Sequence, residues 1–280
     1  MTLFSARPAA RSNSKAGRLL VIALLSFAAT AKSEPLSIAV ASNFRFTLEA
    51  LLSEGIKAEP ASYRVSAAAS GLLYAQIVNG ARFHLFFSAD AERPRRLMQD
   101  ALIVPGSRRT YAMGQLAFWM PDRTADWQVA LANFEGIVAI ANPLHAPYGQ
   151  AAKALIDNQW LPSTHTIVLA PNVGVAYQYA FSRTAKAAFI SHAQAIAGGL
   201  PLEDFVVVNE SVHAPIVQQR VVLSDHPLGD DLLHYIDSEA GRSHLKRLGY
   251  LPAPRIAEPV LSPSSGQSLP PPSSLLSQPP

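Results

Sequence analysis

The sequence predicts an α/β protein of two lobes, each built on a mostly parallel sheet flanked by helices, with a hinged cleft between them. Three observations carry this. Short apolar runs alternate with stretches of helical periodicity, the pattern that lays parallel strands between covering helices. The runs fall into two groups on either side of Tyr111 to Pro121, which reads as two lobes rather than one sheet. Between a basic leader and a Pro/Ser-rich end there remain about 230 residues, enough to fold on an apolar core alone.

Taken in order, Arg7, Arg11, Lys15 and Arg18 precede the apolar run Leu19 to Ala28, and Ala29-Thr30-Ala31 follows as a small-x-small site. This is the build of a cleaved export signal, with cleavage expected after Ala31. The apolar run is too short for a membrane span, which takes roughly 20 residues. Leu36 to Ala41 reads as a buried strand and Phe44 to Gly55 as a helix with Phe44, Leu48, Leu51 and Leu52 on one face. Gly71 to Gly80 is a helix, His84 to Ser88 a strand, Ala91 to Asp100 a helix and Gly114 to Met120 a strand. Gly136 to Ile140 and Thr166 to Leu169 are strands, followed by helices at Tyr148 to Trp160 and Val173 to Arg183. Ala187 to Ser191 and Phe205 to Val208 are strands, Pro215 to Leu223 is extended, and Pro227 to Gly249 is one long final helix. From Ser262 to Pro280, seven Ser and six Pro leave too little apolar surface to offset chain entropy, so this end is expected to be disordered.

Composition narrows the function. The whole chain carries 23 Lys+Arg against 20 Asp+Glu. Four of the basic residues lie in the leader, so the remainder has 19 against 20 and a formal charge of −1. No basic excess is left for nucleic acid. The chain has no cysteine, which excludes a disulfide scaffold and a lipid anchor on an N-terminal cysteine. A free, soluble protein of the periplasm fits. Enzyme signatures are lacking: there is no GxSxG elbow, no HExxH helix and no phosphate loop ending in Gly-Lys-Ser/Thr. The eight His show no ligand spacing, and Asp230-Asp231 sits where acids favour a helix start. No catalytic residues, cofactor or cation site are expected.

The informative residues lie where strands turn into helices. Ser42-Asn43 follows the first strand, Ser70-Gly71 opens the second helix, Tyr148-Gly149 follows Pro147, and Asn172-Val173-Gly174 opens another helix. A helix start presents N–H groups with no intrahelical partner at the positive end of the dipole, and so favours an anion. Each alone reads first as an ordinary N-cap. Four of them, drawn from both lobes, point to one shared anion.

The stretches Ala39-Val40-Ala41-Ser42-Asn43-Phe44, Ser70-Gly71-Leu72-Leu73-Tyr74-Ala75-Gln76-Ile77-Val78-Asn79-Gly80-Ala81 and Phe86-Phe87-Ser88-Ala89-Asp90 stand in a fixed order. They are followed by Pro105-Gly106-Ser107-Arg108, Asn142-Pro143, Ala146-Pro147-Tyr148-Gly149 and Pro215-Ile216-Val217-Gln218-Gln219. In these stretches, from about Leu36 to Pro252, the chain resembles the periplasmic molybdate-binding proteins of ABC importers. The resemblance implies the two-lobed periplasmic-binding-protein fold, closing over a tetrahedral oxyanion held by neutral donors. It implies hydroxyl and amide donors at Ser42 and Ser70, the amide of Asn43, the Tyr148 hydroxyl and the Val173 amide, with Ala89 and Asn172 as secondary candidates. Any molybdenum would be held as the oxyanion through these groups. The sequence departs from the family at Ala67-Ala68-Ala69, where a Ser-rich run is usual, and at Phe189, where many members have a tyrosine donor that Tyr148 would replace. The stretch Ala58 to Tyr63 also fits the usual spacing poorly.

The expected organisation is a leader at 1–31, a first lobe from 32–115 and 219–254, a second lobe from 116–218, and a tail at 255–280. Molybdate is the expected ligand and tungstate a congener. A membrane permease is the expected partner, nucleic acid is not, and the protein is expected to be a monomer. The alternatives are another oxyanion such as sulfate, a sensor outside transport, or an exported enzyme, for which no nucleophile–base pair is in view.

Overall fold

The computed structural model describes residues 34–253 and the pair 276–277. The leader, its cleavage site and most of the 255–280 segment lie outside the described residues. The chain begins with β1 (Leu36–Ala41), a 3-10 turn at Ser42–Phe44, and α1 (Arg45–Ala50), which widens into a π turn at Leu51–Gly55. Next come β2 (Tyr63–Ala68), α2 (Ser70–Val78), β3 (Leu85–Ser88), α3 (Glu92–Gln99) and β4 (Arg109–Gly114). Gln115 crosses to β5 (Leu116–Trp119), α4 (Trp127–Ala132), β6 (Gly136–Ala141) and α5 (Pro147–Asp157). The second lobe continues with β7 (His165–Ala170), α6 (Val173–Phe181), β8 (Ala187–Ser191), α7 (His192–Ala197) and β9 (Phe205–Val208). β10 (Ile216–Val222) returns to the first lobe, which closes with α8 (Pro227–Asp237) and α9 (Glu239–Arg247).

The first sheet has the order β2-β1-β3-β10-β4. The second, read from the far edge, is β7-β6-β8-β5-β9, with a two-residue β11 (Leu276–Ser277) added beyond β9. The two orders correspond strand for strand. In each sheet the strand arriving from the other lobe, β10 or β5, is antiparallel to both neighbours, while the remaining pairs at the centre are parallel. The sheets are therefore mostly parallel in strand direction, as expected, with one reversed strand among the five corresponding strands of each; the added β11 is also antiparallel to β9.

Alternation across the pleat builds a core on either face. In β1, Leu36, Ile38 and Val40 pack with Phe44, Leu48 and Leu232, while Ala39 faces Leu73, Phe86 and Leu97 beneath α2 and α3. In the second lobe Phe118, Val138, Ile140 and Phe189 meet Leu155 and Trp160. The opposite face is built from Ala117, Ala139, Ala188, Ala176 and Ala180, whose small side chains let α6 lie close to the sheet.

Several elements differ from the sequence reading. The strand read at Gly114 to Met120 is β5 alone, at Leu116–Trp119; Gly114 ends a separate strand, β4, which starts at Arg109 and was not expected, because the backbone changes sheets at Gln115. The strand Tyr63–Ala68 was not expected; it is an edge strand with alternating exposure and lacks a continuous apolar run. The six-residue helices α4 and α7 were also unread, being too short for a periodic signal. The final helix breaks at Ser238, whose hydroxyl accepts from Gly241 N at 3.0 Å and donates to Tyr235 O at 2.7 Å. The chain re-enters the first lobe by Ile216 rather than at 219, since β10 pairs from Ile216↔Gly114 onwards. Leu276 and Ser277, read as part of a disordered tail, pair with Val208 and Val207. β9 is otherwise a sheet edge, and edge N–H and C=O groups accept an added strand. Among the described residues no helix is long and apolar enough to cross a membrane.

Candidate functional site

Parallel strands deliver their carboxyl ends to one side of a sheet, and helix starts gather there. In the first lobe β1 ends at Ala41 before Ser42-Asn43, β2 ends at Ala68 before Ser70, and β3 ends at Ser88 before Ala89. In the second, β6 leads through Asn142 to α5 at Pro147, and β7 leads to α6 at Val173. The two sets face each other. Ala41, Ser42, Asn43, Ser70, Ala89, Tyr148 and Val173, with Ala68, Ala69, Ala146 and Pro147, line a cavity of about 10 Å³. It is a small cavity, and its lining is drawn from both lobes. None of the lining residues is charged.

Contacts across the cleft hold the lobes together around this cavity. Gly71 N donates to His145 O at 2.9 Å, and Gly174 N donates to Ser42 Oγ at 3.4 Å. A side chain at Gly71 would press on His145, its Cβ 3.1 Å from the backbone there, so glycine permits the approach.

The candidate residues take different places. Ser70 is fully buried and its Oγ accepts from Ala89 N at 2.9 Å, which leaves the hydroxyl proton for another acceptor. Ala89 lines the cavity, but that bond already occupies its N–H. Val173 is the first residue of α6, where N–H groups have no intrahelical acceptor. Asn172 is not among the lining residues: its side chain caps α6, accepting from Val175 N at 3.0 Å. It acts through the helix it starts. Phe189 is likewise away from the cavity, packed on Phe118 and Trp160 with ring centroids 4.9 and 5.6 Å apart.

Tyr148 is buried at the second position of α5. Its hydroxyl accepts from Gln218 Nε2 at 3.2 Å. Gln218 Oε1 in turn accepts from Asn43 Nδ2 at 3.0 Å and from the Tyr111 hydroxyl at 2.9 Å. The Tyr250 hydroxyl donates to Asn43 O at 3.1 Å and receives Asn43 Nδ2 at 3.3 Å. Asn43 Oδ1 is buried without a partner in the described structure. Burial pushes the Tyr148 phenol well above its usual range; the nearby Tyr250 adds to this, and the Gln218 and Asn43 side chains offset part of it. Tyr111 and Tyr250 are also raised, mainly by burial. All three stay protonated near neutral pH and can donate. Gly114 makes room for the group, since a Cβ there would lie 2.2 Å from the Tyr148 hydroxyl and 2.6 Å from Gln218 Nε2. Gln218, Tyr111, Tyr250 and Gly114 were not singled out from the sequence as site residues. Gln218 stood in a recognised stretch, but only its partners in space reveal its place.

Among the described residues no group of three or more His, Asp or Glu is set to hold a metal cation. The site brings uncharged residues and helix starts of two lobes to one small cavity. The family model for bacterial extracellular solute-binding proteins matches residues 36–251, and the chain belongs to that family. It is a family of binding proteins rather than enzymes. Within it, the chain is 30% identical over 242 residues to the molybdate-binding protein ModA of Azotobacter vinelandii, covering 82% of this chain and 96% of that one. It is 31% identical over 189 residues to ModA of Rhodobacter capsulatus, covering 65% and 74%. The solved structure of the Azotobacter vinelandii periplasmic molybdate-binding protein superposes with a TM-score of 0.68 at 31% identity, over 77% of this chain and 98% of that one.

Proposed function

We propose that this protein captures molybdate in the periplasm, accepts tungstate as a congener, and delivers the ion to the membrane permease of an ABC importer. The observation that carries the reading is the small cavity where helix starts from both lobes converge and no lining residue is charged. Support also comes from relatives named for molybdate at 30% and 31% identity. Ser42 and Ser70 supply hydroxyl and main-chain donors, Asn43 and Val173 supply main-chain N–H groups, and Tyr148 supplies its hydroxyl. In this reading residues 1–31 direct export and are removed, and the mature protein works as a monomer without a cofactor.

The chemistry fits a fully ionised oxyanion. Molybdate carries no proton at neutral pH, so its four oxygens only accept, and the site offers donors. Phosphate retains a proton and calls for an acidic acceptor, which the lining residues lack. Hydrogen bonds to a charged partner contribute roughly 1.5–3 kcal/mol each. Several of them, less the costs of ordering and desolvation, reach about −8 to −12 kcal/mol, micromolar to nanomolar binding. Calorimetric titration of the protein with molybdate, tungstate, sulfate and phosphate tests this. Strong binding of the first two and weak binding of the others is expected; sulfate bound as tightly as molybdate would sink the assignment.

A further inference from the structure

We propose that Gln218 is the positioning residue that turns the Tyr148 hydroxyl into a donor towards the cavity, and that it does so across the hinge. This rests on the reading of Tyr148 as an anion ligand.

The argument follows single protons. Tyr250 has one hydroxyl proton, and it goes to the main-chain oxygen of Asn43 at 3.1 Å. The Asn43 side-chain atom facing that hydroxyl at 3.3 Å must then be a donor, its NH2 group. The same NH2 faces Gln218 at 3.0 Å, so the Gln218 atom there is its oxygen. The Tyr111 hydroxyl at 2.9 Å adds a second donor to that oxygen. With the oxygen fixed, the Gln218 NH2 points at the Tyr148 hydroxyl, 3.2 Å away, and donates to it. Tyr148 is thereby occupied as an acceptor and keeps its own proton to give. Two kinds of acceptor remain for it: Asn43 Oδ1, buried and unpartnered in the described structure, and an oxyanion in the cavity.

Placement makes this a link between closure and donor orientation. Gln218 sits on β10, opposite Ala112 and beside a break in register, so it belongs to the first lobe's sheet. Tyr148 belongs to α5 of the second lobe. The bond between them exists only with the lobes together, so closure both encloses the anion and sets the tyrosine proton towards it. Gln218 is fully buried and does not line the cavity, so it acts through Tyr148 rather than on the anion.

The test is a double-mutant cycle read by calorimetry with molybdate, using Gln218→Met, Tyr148→Phe and the pair. Gln218→Met is expected to weaken binding roughly three- to tenfold in the presence of Tyr148. In the Tyr148→Phe background the same change should cost less than about twofold, the scatter of additive effects. Equal losses in both backgrounds would mean that Gln218 only supports the fold, and would overturn the proposal. If Tyr148→Phe alone leaves affinity unchanged, the failure lies with Tyr148 as a ligand instead. Gln218→Glu is the second variant should the methionine protein not fold. It keeps the oxygen that Asn43 and Tyr111 donate to and sets an acceptor where the donor to Tyr148 stood, which draws the tyrosine proton away from the cavity. A loss of affinity more than about twofold larger with Tyr148 present than in the Tyr148→Phe background supports the proposal, and equal losses overturn it.

Discussion

At the scale of residues, the proposed site rests on hydroxyls that receive one hydrogen bond and keep a proton to give. Ser70 receives Ala89 N, and Tyr148 receives Gln218 Nε2, each retaining one proton. Tyr148→Phe removes only the phenolic oxygen. Molybdate affinity is expected to fall by roughly 1.5–3 kcal/mol, on the order of ten- to a hundredfold in dissociation constant. The variant also strands Gln218 Nε2 in a buried place. The bond it loses needs the lobes together, so the loss falls on the closed form, and denaturant unfolding of the ligand-free protein should change little. An unchanged dissociation constant would remove Tyr148 from the ligand set. That Ser42, Asn43, Ser70, Tyr148 and Val173 belong together was legible in the sequence, because a strand running into a helix start leaves a local signature, and all five line the one cavity. Gln218 was not, because its meaning lies in partners 70 and 175 residues away, Tyr148 and Asn43. Asn172 read as a possible ligand because a cap and an anion donor look alike in sequence; the structure shows the cap.

Elements place these groups, and two glycines show how. β4 ends at Gly114 against the Tyr148 hydroxyl, and α5 presses Gly149 onto β6, where a Cβ would lie 2.0 Å from Ala141 O. The two positions should respond differently to alanine. Gly114→Ala displaces the Tyr148 and Gln218 side chains and should weaken molybdate binding by more than it lowers Tm. Gly149→Ala drives a Cβ into backbone and should lower Tm first, since overpacking costs typically 1–3 kcal/mol. Titration and thermal melting of both variants check this; a Gly114→Ala protein that binds as the parent does would show that the cradle at β4 is not needed. The strands with unbroken apolar runs, β1, β3, β8 and β9, were readable because both their faces are covered. β2 was not, since an edge strand with one wet face looks like loop. The stop between α8 and α9 was also hidden, because Ser238 resembles any polar surface residue until its hydroxyl is seen capping Gly241.

The whole molecule carries a pH dependence apart from its binding chemistry. Burial lowers the pKa of His192 and His213 and, with help from His226, of His84. A lowered folded pKa means that the unfolded chain takes the proton first. These groups leave stability intact above the ordinary histidine value of 6.5 and erode it as pH falls through that value towards the folded pKa values. The Tm of the ligand-free protein should decline between pH 7 and 5. Molybdate affinity should stay flat from neutral to mildly alkaline pH, because the phenols of the site remain protonated. A Tm that holds constant down to pH 5 would show that the three imidazoles are as hydrated folded as unfolded.

The reversed strand in each sheet also governs the order in which the molecule can assemble. Residues 116–208 contain every strand of the second lobe's sheet from β5 to β9, so that lobe can form from one continuous stretch of chain. The first lobe cannot. β10 lies between β3 and β4, and until it arrives β4 has no neighbour in its sheet. Loop closure over the intervening lobe must come before that pairing is rewarded. The sheet at the end of the polypeptide synthesised first is thus completed after the second lobe's strands have been made, and the hinge strand that carries Gln218 is the strand that completes it.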